Sequence, residues 1–401
     1  MTRAARGVLH GCAAAAQALT WLPVGHLGLL AVAGSVPPRR VVLRPEPETR
    51  FVVVVPGRNE EEFVAAAVGS LLRARYPREL MRVVVVADNC HDGTAEVARA
   101  AGAEAWERND PARASKGAAL GWAFERLLAE DPDWDALLVL DADGTVDRDL
   151  FRVLDARIDD VAVLQAERRV GNPRPNLMTR LSEVSTDAQT VLRPRARQHL
   201  GGAAKLVGTG MVFRRDVLRL IPWHAEGLVE DVEYWLTLLQ EGIRPEFEPR
   251  AQVADLMPET MSAARRQRER WQAGRAGLAR GRARSSLRLS LRRRDPVLLE
   301  AVVSELLLPT LSVTGTAVVG STALSLLLRR RGMSTGALQA LVVTVHVLAG
   351  LRAAGASAAT YRALAASPLV AIWKTWLALR LRLHPPASGW QSTRGTTGAG
   401  R

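Results

Sequence analysis

The sequence predicts an α/β domain that lies between apolar segments able to cross or line a membrane. Three observations predict it in this chain of 401 residues. Short apolar runs that end in acidic residues alternate with amphipathic stretches through the middle of the chain. Long apolar runs occupy both ends. Basic charge is concentrated beside the second apolar region, which is typical of a juxtamembrane segment.

The stretch ALLVLDADG contains a run, residues 137–140, that is too short for a helix and predicts a buried strand. Asp141 and Asp143 follow at its end, where ligands of open α/β sheets bind. Carboxylates are typical ligands of Mg²⁺ or Mn²⁺ held on a nucleotide. The alternative is an Asp-rich turn with local hydrogen bonds. This motif alone leaves both interpretations open.

Upstream, residues 51–55 and 83–87 predict two more strands, and residues 60–75 a helix between them. This alternation indicates βαβ units and a largely parallel sheet. Asp88 ends the second strand, where its carboxylate could accept from a base or ribose. Ser115 and Lys116 begin a further helix, with Ser115 near the N-cap. A cation in the first turn opposes the helix dipole unless a diphosphate binds at the same helix start.

Residues 161–165 predict a strand, and residues 176–200 predict a long helix. Two later stretches place polar side chains on helices. Glu230 and Asp231 begin a helix over residues 232–240, whose dipole favours their ionised forms; the structural alternative is that they only favour the helix start. Gln267 and Arg270 share a helical face, with Trp271 adjacent. A solvated Arg-rich helix is the alternative there, and Trp271 argues against it.

Residues 8–36 contain no formal charge and are long enough to span a bilayer, which takes about 20 residues. We prefer a retained helix to a cleaved signal peptide, and the flanking arginines place the central domain in the cytoplasm. Residues 296–328 and 337–351 predict further membrane helices, the second shorter, and residues 367–383 an interfacial helix. Glu300 and Glu305 are expected in an interfacial first turn. If residues 296–328 crossed the membrane once, Arg329 to Arg331 would lie outside the cytoplasm, against the positive-inside rule. A re-entrant hairpin would avoid this.

The net charge of +13 permits nucleic acid, anionic lipid or acidic substrates as partners. Its distribution favours lipid, because residues 275–331 hold eleven arginines against three acidic residues beside an apolar segment. Nearly all basic residues are arginines, and the only lysines are Lys116, Lys205 and Lys374. Lys116 stands out because it lies in one of the motifs. Cys12 and Cys90 are the only cysteines, which supports neither a disulfide framework nor a zinc site.

Seven motifs occur in a recognisable order: VVVVPGRNEE, VVVVADNCHDGT, ASKGAALGWAF, LLVLDADG, LVGTGMVFRR, GLVEDVEYWLTLLQEG and RQRERW. Together they resemble glycosyltransferase family 2, in the membrane-associated branch with cellulose, hyaluronan and chitin synthases, over roughly residues 50–275. The tail GWQSTRG is similar to the terminal Trp-x-x-Thr-x-Arg of that family. The resemblance implies a GT-A fold, a single α/β domain that binds a nucleotide-sugar and a divalent metal, Mg or Mn.

The resemblance also implies roles for individual residues. On the donor side, Asp143 is the metal ligand, and Asp141 contacts the nucleotide or the metal. Asp88 binds uridine, and Pro56 and Glu60 line the same pocket. Lys116 approaches the diphosphate. On the acceptor side, Asp231 is the general base supported by Glu230, while Gln267, Arg270 and Trp271 contact the acceptor or the diphosphate.

The expected organisation is an N-terminal membrane helix and linker (1–46), a cytoplasmic GT-A domain (47–275), an Arg-rich juxtamembrane segment (276–295), membrane helices (296–360), and an interfacial helix with a tail (361–401). We expect a multi-pass protein of the inner or plasma membrane. Its expected activity is an inverting, metal-dependent hexosyl or N-acetylhexosaminyl transfer from a UDP-sugar to a lipid-linked or polysaccharide acceptor, without a nucleic-acid partner.

Two other hypotheses remain. One is a membrane-anchored, non-catalytic binder of anionic lipid or nucleic acid through the Arg-rich segment, although intact acidic motifs argue against a scaffold. The other is a glycoside hydrolase, which also uses two carboxylates. A hydrolase does not explain the membrane segments or the pairing of Arg270 with Trp271.

Overall fold

The computed structural model describes residues 3–130, 133–172, 176–327 and 333–383. The strands are β1 Phe51–Gly57, β2 Met81–Asp88, β3 Glu104–Arg108, β4 Ala136–Val139, β5 Gly144–Val146, β6 Val163–Val170, β7 Met211–Arg214 and β8 Glu246–Asp255. The helices are α1 Arg3–Gly34, α2 Val64–Leu72, α3 Thr94–Ala100, α4 Lys116–Glu130, α5 Leu150–Asp155, α6 Leu177–Asp187, α7 Arg193–His199, α8 Arg215–Leu220, α9 Glu230–Gln240, α10 Met261–Arg293, α11 Pro296–Val302, α12 Leu311–Leu327, α13 Met333–Ala354, α14 Ala358–Ala363 and α15 Ser367–Leu383.

The strands form one sheet in the order β3-β2-β1-β4-β7-β6-β8-β5. The pairs of β1 with β2, β1 with β4 and β2 with β3 are parallel, as the sequence predicts. The other half is mixed, so the prediction of a largely parallel sheet holds only in part: β6 pairs parallel with β8, whereas β7 runs antiparallel to β4 and β6, and β5 antiparallel to β8. An apolar run has the same composition in either direction, so it identifies a buried strand without giving its orientation.

Both faces of the sheet are covered. In β1, Val52 and Val54 pack on one face with Phe124 of α4, and Val53 and Val55 on the other with α2. This alternation follows from the period of two in a strand, and burial on both faces explains why β1 is apolar throughout. The carboxyl ends of β1, β2 and β4 therefore meet at one edge of the sheet.

The helix predicted over residues 176–200 is interrupted. Asn176 caps α6 by accepting from the backbone N–H of Thr179 at 3.0 Å, and a π-helical turn, Ala188–Leu192, separates α6 from α7. Pro194 lies in the first turn of α7. Because proline lacks an N–H and its ring displaces the carbonyl one turn earlier, a wider turn before it is expected.

The apolar ends also form helices. Ala14–Gly34 and Thr335–Ala354 are long and apolar enough to cross a membrane, so the second is longer than predicted. Residues 296–328 do not form one straight helix, because Pro296–Leu307 and Leu311–Leu327 are bent by 65° around Pro309. Glu305 is buried against Arg197, and its position at the membrane interface stays a prediction. Arg329 to Arg331 and the tail GWQSTRG lie outside the described residues.

Candidate active site

Three carboxylates meet at the carboxyl ends of the strands. Asp141 and Asp143 lie between β4 and β5, and the pairing of β5 with β8 sets Asp255 opposite Gly144. One ligand atom from each carboxylate lies within 4.8 Å of the others. Oxygen ligands at this spacing fit a hard divalent cation such as Mg²⁺ or Mn²⁺. Burial raises the pKa of Asp255 although Arg168, whose Nε donates to Asp255 at 2.5 Å, opposes it.

Lys116 reaches the same carboxylates from the start of α4. Its Nζ donates to Asp141 and to the carbonyl of Gly208 at 2.8 Å, and lies 3.7 Å from Glu230. Burial alone would lower the pKa of Lys116, but Asp141 and Glu230 raise it to about 12. Ser115 accepts from the N–H of Ala118 at 3.0 Å, which confirms the predicted capping role. The lysine is therefore charged beside the proposed diphosphate site.

Glu230 and Asp231 begin α9 and line the cavity that also contains Lys116. Burial raises the pKa of Glu230 to about 7, against the opposing charge of Lys116. Burial also raises the pKa of Asp231, and Lys205 is the main charge that opposes this. A carboxylate with a raised pKa is a better proton acceptor once it is ionised. Gly208 lies here at φ +85°, which residues other than glycine rarely adopt, although a Cβ would make only ordinary contacts, 3.4 Å from the Nζ of Lys116 and 3.5 Å from Asp231.

A single cavity of about 400 Å³ collects most of the predicted residues. Its lining includes Pro56, Glu60, Lys116, Asp141, Asp143, Glu230, Asp231, Gln267, Arg270 and Trp271. It also includes Pro23 and Leu27 of α1 and the segment between α11 and α12. The cavity therefore joins the strand ends to the helices that are candidates for crossing the membrane.

Asp88 is the one predicted site residue outside this lining. It is fully buried, and its carboxylate forms an ion pair with Arg108, which also donates to Asp110 at 2.8 Å. Asp88 does stand at the carboxyl end of β2, next to the edge where the cavity lies. Its contact with uridine stays a prediction, and its clear structural role is the buried ion pair.

The sequence did not predict three residues of the site: Asp255, Arg168 and Lys205. Asp255 ends a strand with alternating polarity, and this pattern does not distinguish it from any other strand end. Only the pairing of β5 with β8 brings it to the Asp141 and Asp143 motif. Lys205 could have been noticed as one of three lysines, but its contact with Glu305, at 2.8 Å, joins two distant segments.

A sheet in this strand order, with an acidic cluster at the strand ends, is the architecture of the GT-A fold. The family model described as "Glycosyltransferase like family 2" matches residues 47–274, more than half of the chain. The chain belongs to this family. The resemblance of the motifs to glycosyltransferase family 2 is thereby confirmed.

The curated relatives include a probable glycosyltransferase and a glycolipid synthase. The chain is 28% identical over 236 residues to "Probable glycosyltransferase YdaM" of Bacillus subtilis, covering 55% of this chain and 54% of that protein. It is 26% identical over 276 residues to the beta-monoglucosyldiacylglycerol synthase of Trichormus variabilis, covering 64% and 57%. The matched region therefore spans little more than half the length of these relatives.

Among solved structures, the fold is similar to that of the mannosyltransferase PcManGT from Pyrobaculum calidifontis, solved in complex with GDP-Man and Mn²⁺. The TM-score is 0.54 at 17% identity, and the match covers 86% of this chain and 99% of that one. At this identity the likeness shows the fold alone, and it confirms the predicted GT-A architecture.

Proposed function

We propose that the protein is an inverting, metal-dependent glycosyltransferase of the membrane, which moves a hexose or N-acetylhexosamine from a UDP-sugar to a lipid-linked or polysaccharide acceptor. One observation carries the proposal: the carboxylates at the strand ends and Asp231 line the same cavity as residues of the apolar helices. A donor bound at the strand ends would thus face an acceptor that arrives from the membrane side.

The chemistry follows from the positions of the side chains. Asp141, Asp143 and Asp255 would hold the divalent cation, which when bound stabilises the charge that develops on the leaving diphosphate. Lys116 supplies a further positive charge beside Asp141. Asp231 would accept the proton of the acceptor hydroxyl as the sugar transfers, which is general-base catalysis. Glu230 is adjacent and largely buried, and when it is ionised its negative charge would make Asp231 a stronger proton acceptor.

The acceptor side is formed by α10. Gln267, Arg270 and Trp271 line the cavity together, as expected for residues that share a helical face. The planar donors of an arginine suit a phosphate, and a tryptophan suits the face of a sugar ring. We therefore assign Arg270 to the diphosphate and Trp271 to the acceptor sugar.

The donor is tested with membranes that contain the protein. We expect release of UDP from a UDP-sugar, with Mg²⁺ or Mn²⁺ present and not with EDTA. GDP-sugars are the matched competitors, because PcManGT was solved with GDP-Man. The Asp231→Asn variant is the control for transfer. Full activity in EDTA would contradict metal dependence, and release only from GDP-sugars would overturn the choice of uridine.

We also propose a multi-pass protein of the inner or plasma membrane, with the catalytic domain in the cytoplasm. The two candidate spans and the bent pair of helices support this. The full-length chain should stay in the membrane pellet after a carbonate wash, which releases peripheral basic proteins. Recovery in the soluble fraction would contradict the spans and favour a peripheral binder that uses its arginines.

A further inference from the structure

One group of basic side chains in the cavity lining carries more positive charge than the nearby carboxylates neutralise. It consists of Arg193, Lys205, Arg268, Arg270, Arg275 and Lys374. Glu305 lies within electrostatic reach of Arg193, Lys205 and Arg275, and Asp231 within reach of Lys205. Glu305 already accepts from Arg197 and from Lys205, each at 2.8 Å. The remaining cations are in excess.

Three of these cations form no ion pair with a carboxylate among the described residues, although Glu305 lies within electrostatic reach of Arg193. Lys374 is 8% exposed and donates to the hydroxyl of Ser185 at 2.5 Å. The Nε of Arg193 is buried without a hydrogen-bond partner. Burial lowers the pKa of Arg268 to about 10, and Arg268 lies within electrostatic reach of Lys374. Buried unpaired cations are costly, so an anion here would be bound strongly.

An apolar wall stands beside these cations. It is formed by Pro23 and Leu27 of α1 and by Leu308, Pro309 and Leu311 at the bend between α11 and α12. Cations beside such a wall fit a ligand with a hydrocarbon tail and an anionic group. The acidic cluster of Asp141, Asp143 and Asp255 lines the same cavity.

We propose that Lys374, Arg193 and Arg268 bind a phosphate that links the lipid tail of the acceptor to its hydroxyl-bearing head group. This inference rests on the proposed function and narrows its acceptor to a phosphate-containing lipid. The phosphate anchors the acceptor, and the nucleophile remains a hydroxyl of the head group at Asp231. A neutral glycerolipid would leave the three cations unpaired.

Binding to the purified full-length protein in a non-ionic detergent tests this with three probes. Dioctanoyl phosphatidylglycerol carries the tail and the phosphate, dioctanoylglycerol the tail alone, and glycerol 3-phosphate the phosphate alone. Calorimetry should give the phospholipid an affinity at least about 10-fold above either of the others, because a charge-assisted hydrogen bond contributes that much. Equal affinity for dioctanoylglycerol would overturn the inference, and equal affinity for glycerol 3-phosphate would indicate a site for free phosphate.

Two variants locate the site. Lys374→Met and Arg193→Gln should each weaken binding of the phospholipid by about 10-fold and leave dioctanoylglycerol unaffected. Arg284→Met, an exposed position on α10, is the control for attraction to the basic surface. Equal behaviour of the three variants would overturn the inference. UDP binding with Mn²⁺ is measured on every sample: it reports folding, and its failure in the unsubstituted protein would contradict the proposed function alone.

Discussion

Lys116 donates a hydrogen bond to the carboxylate of Asp141 across the mouth of the cavity, and the same ammonium group donates to the carbonyl of Gly208 at 2.8 Å. A cation in the first turn of a helix opposes the helix dipole, so its position requires negative partners. Asp141 and Glu230 are those partners in this structure. A bound donor diphosphate would add a third and stronger one.

Lys116→Met should therefore weaken binding of the donor nucleotide by about 10-fold or more, since it removes charge-assisted contacts to the diphosphate. Calorimetry with UDP in the presence of Mn²⁺ measures this. Arg219→Met, which removes an exposed cation on α8, should bind UDP as the unsubstituted protein does. Unchanged affinity in Lys116→Met would mean that the lysine only balances Asp141.

Asp255 is expected to be a third metal ligand with Asp141 and Asp143. Asp255→Asn and Asp143→Asn should each raise the Mn²⁺ concentration needed for half-maximal nucleotide release by at least about 10-fold, because each removes or weakens an oxygen ligand. The measurement is nucleotide release against metal concentration. Asp149→Asn, at an exposed carboxylate, is the control. If only Asp143→Asn changed the metal dependence, Asp255 would serve to hold Arg168.

The buried pair of Asp88 and Arg108 is expected to stabilise the fold. Asp88→Ala leaves Arg108 with Asp110 as its remaining carboxylate partner and should lower the free energy of unfolding by about 3 kcal/mol. Thermal unfolding of the detergent-solubilised protein would show this as a lower Tm. The double variant Asp88→Ala, Arg108→Met should recover much of the loss. Weaker UDP binding at an unchanged Tm would instead support the uridine contact inferred from the resemblance.

The sequence predicted what local patterns determine. The strand before Asp141, the cap at Ser115 and the helix that begins at Glu230 all depend on neighbouring residues, and all three are present. Features that depend on strand direction or on contacts between distant segments were not predicted. The antiparallel pairing of β7 and of β5, the position of Asp255 beside Asp141 and Asp143, and the burial of Glu305 against Arg197 are of this kind.

The acid limb of the pH profile should report Asp231. Burial raises the pKa of this carboxyl, so kcat should fall as the pH drops through a value above the ordinary range of an aspartate. Lys205 is the main charge that opposes the shift, and Lys205→Met should therefore move the acid limb to higher pH. The profile of kcat for nucleotide release, at saturating donor and metal, measures both. A limb that stayed in place in Lys205→Met would assign it to another group.

Asp231 and Glu230 are adjacent, and their substitution separates the general base from its neighbour. Asp231 is assigned to accept the proton of the acceptor hydroxyl. Because this contact strengthens as the hydroxyl oxygen becomes nucleophilic, the loss of Asp231 should mainly lower kcat. General-base assistance is typically worth about 10² to 10⁴ in rate, and Asp231→Asn should lower kcat by that order while UDP still binds. Steady-state kinetics beside calorimetry measures the two effects, with Glu230→Gln as the matched variant. Normal turnover in Asp231→Asn, together with a large loss in Glu230→Gln, would transfer the role of base to Glu230.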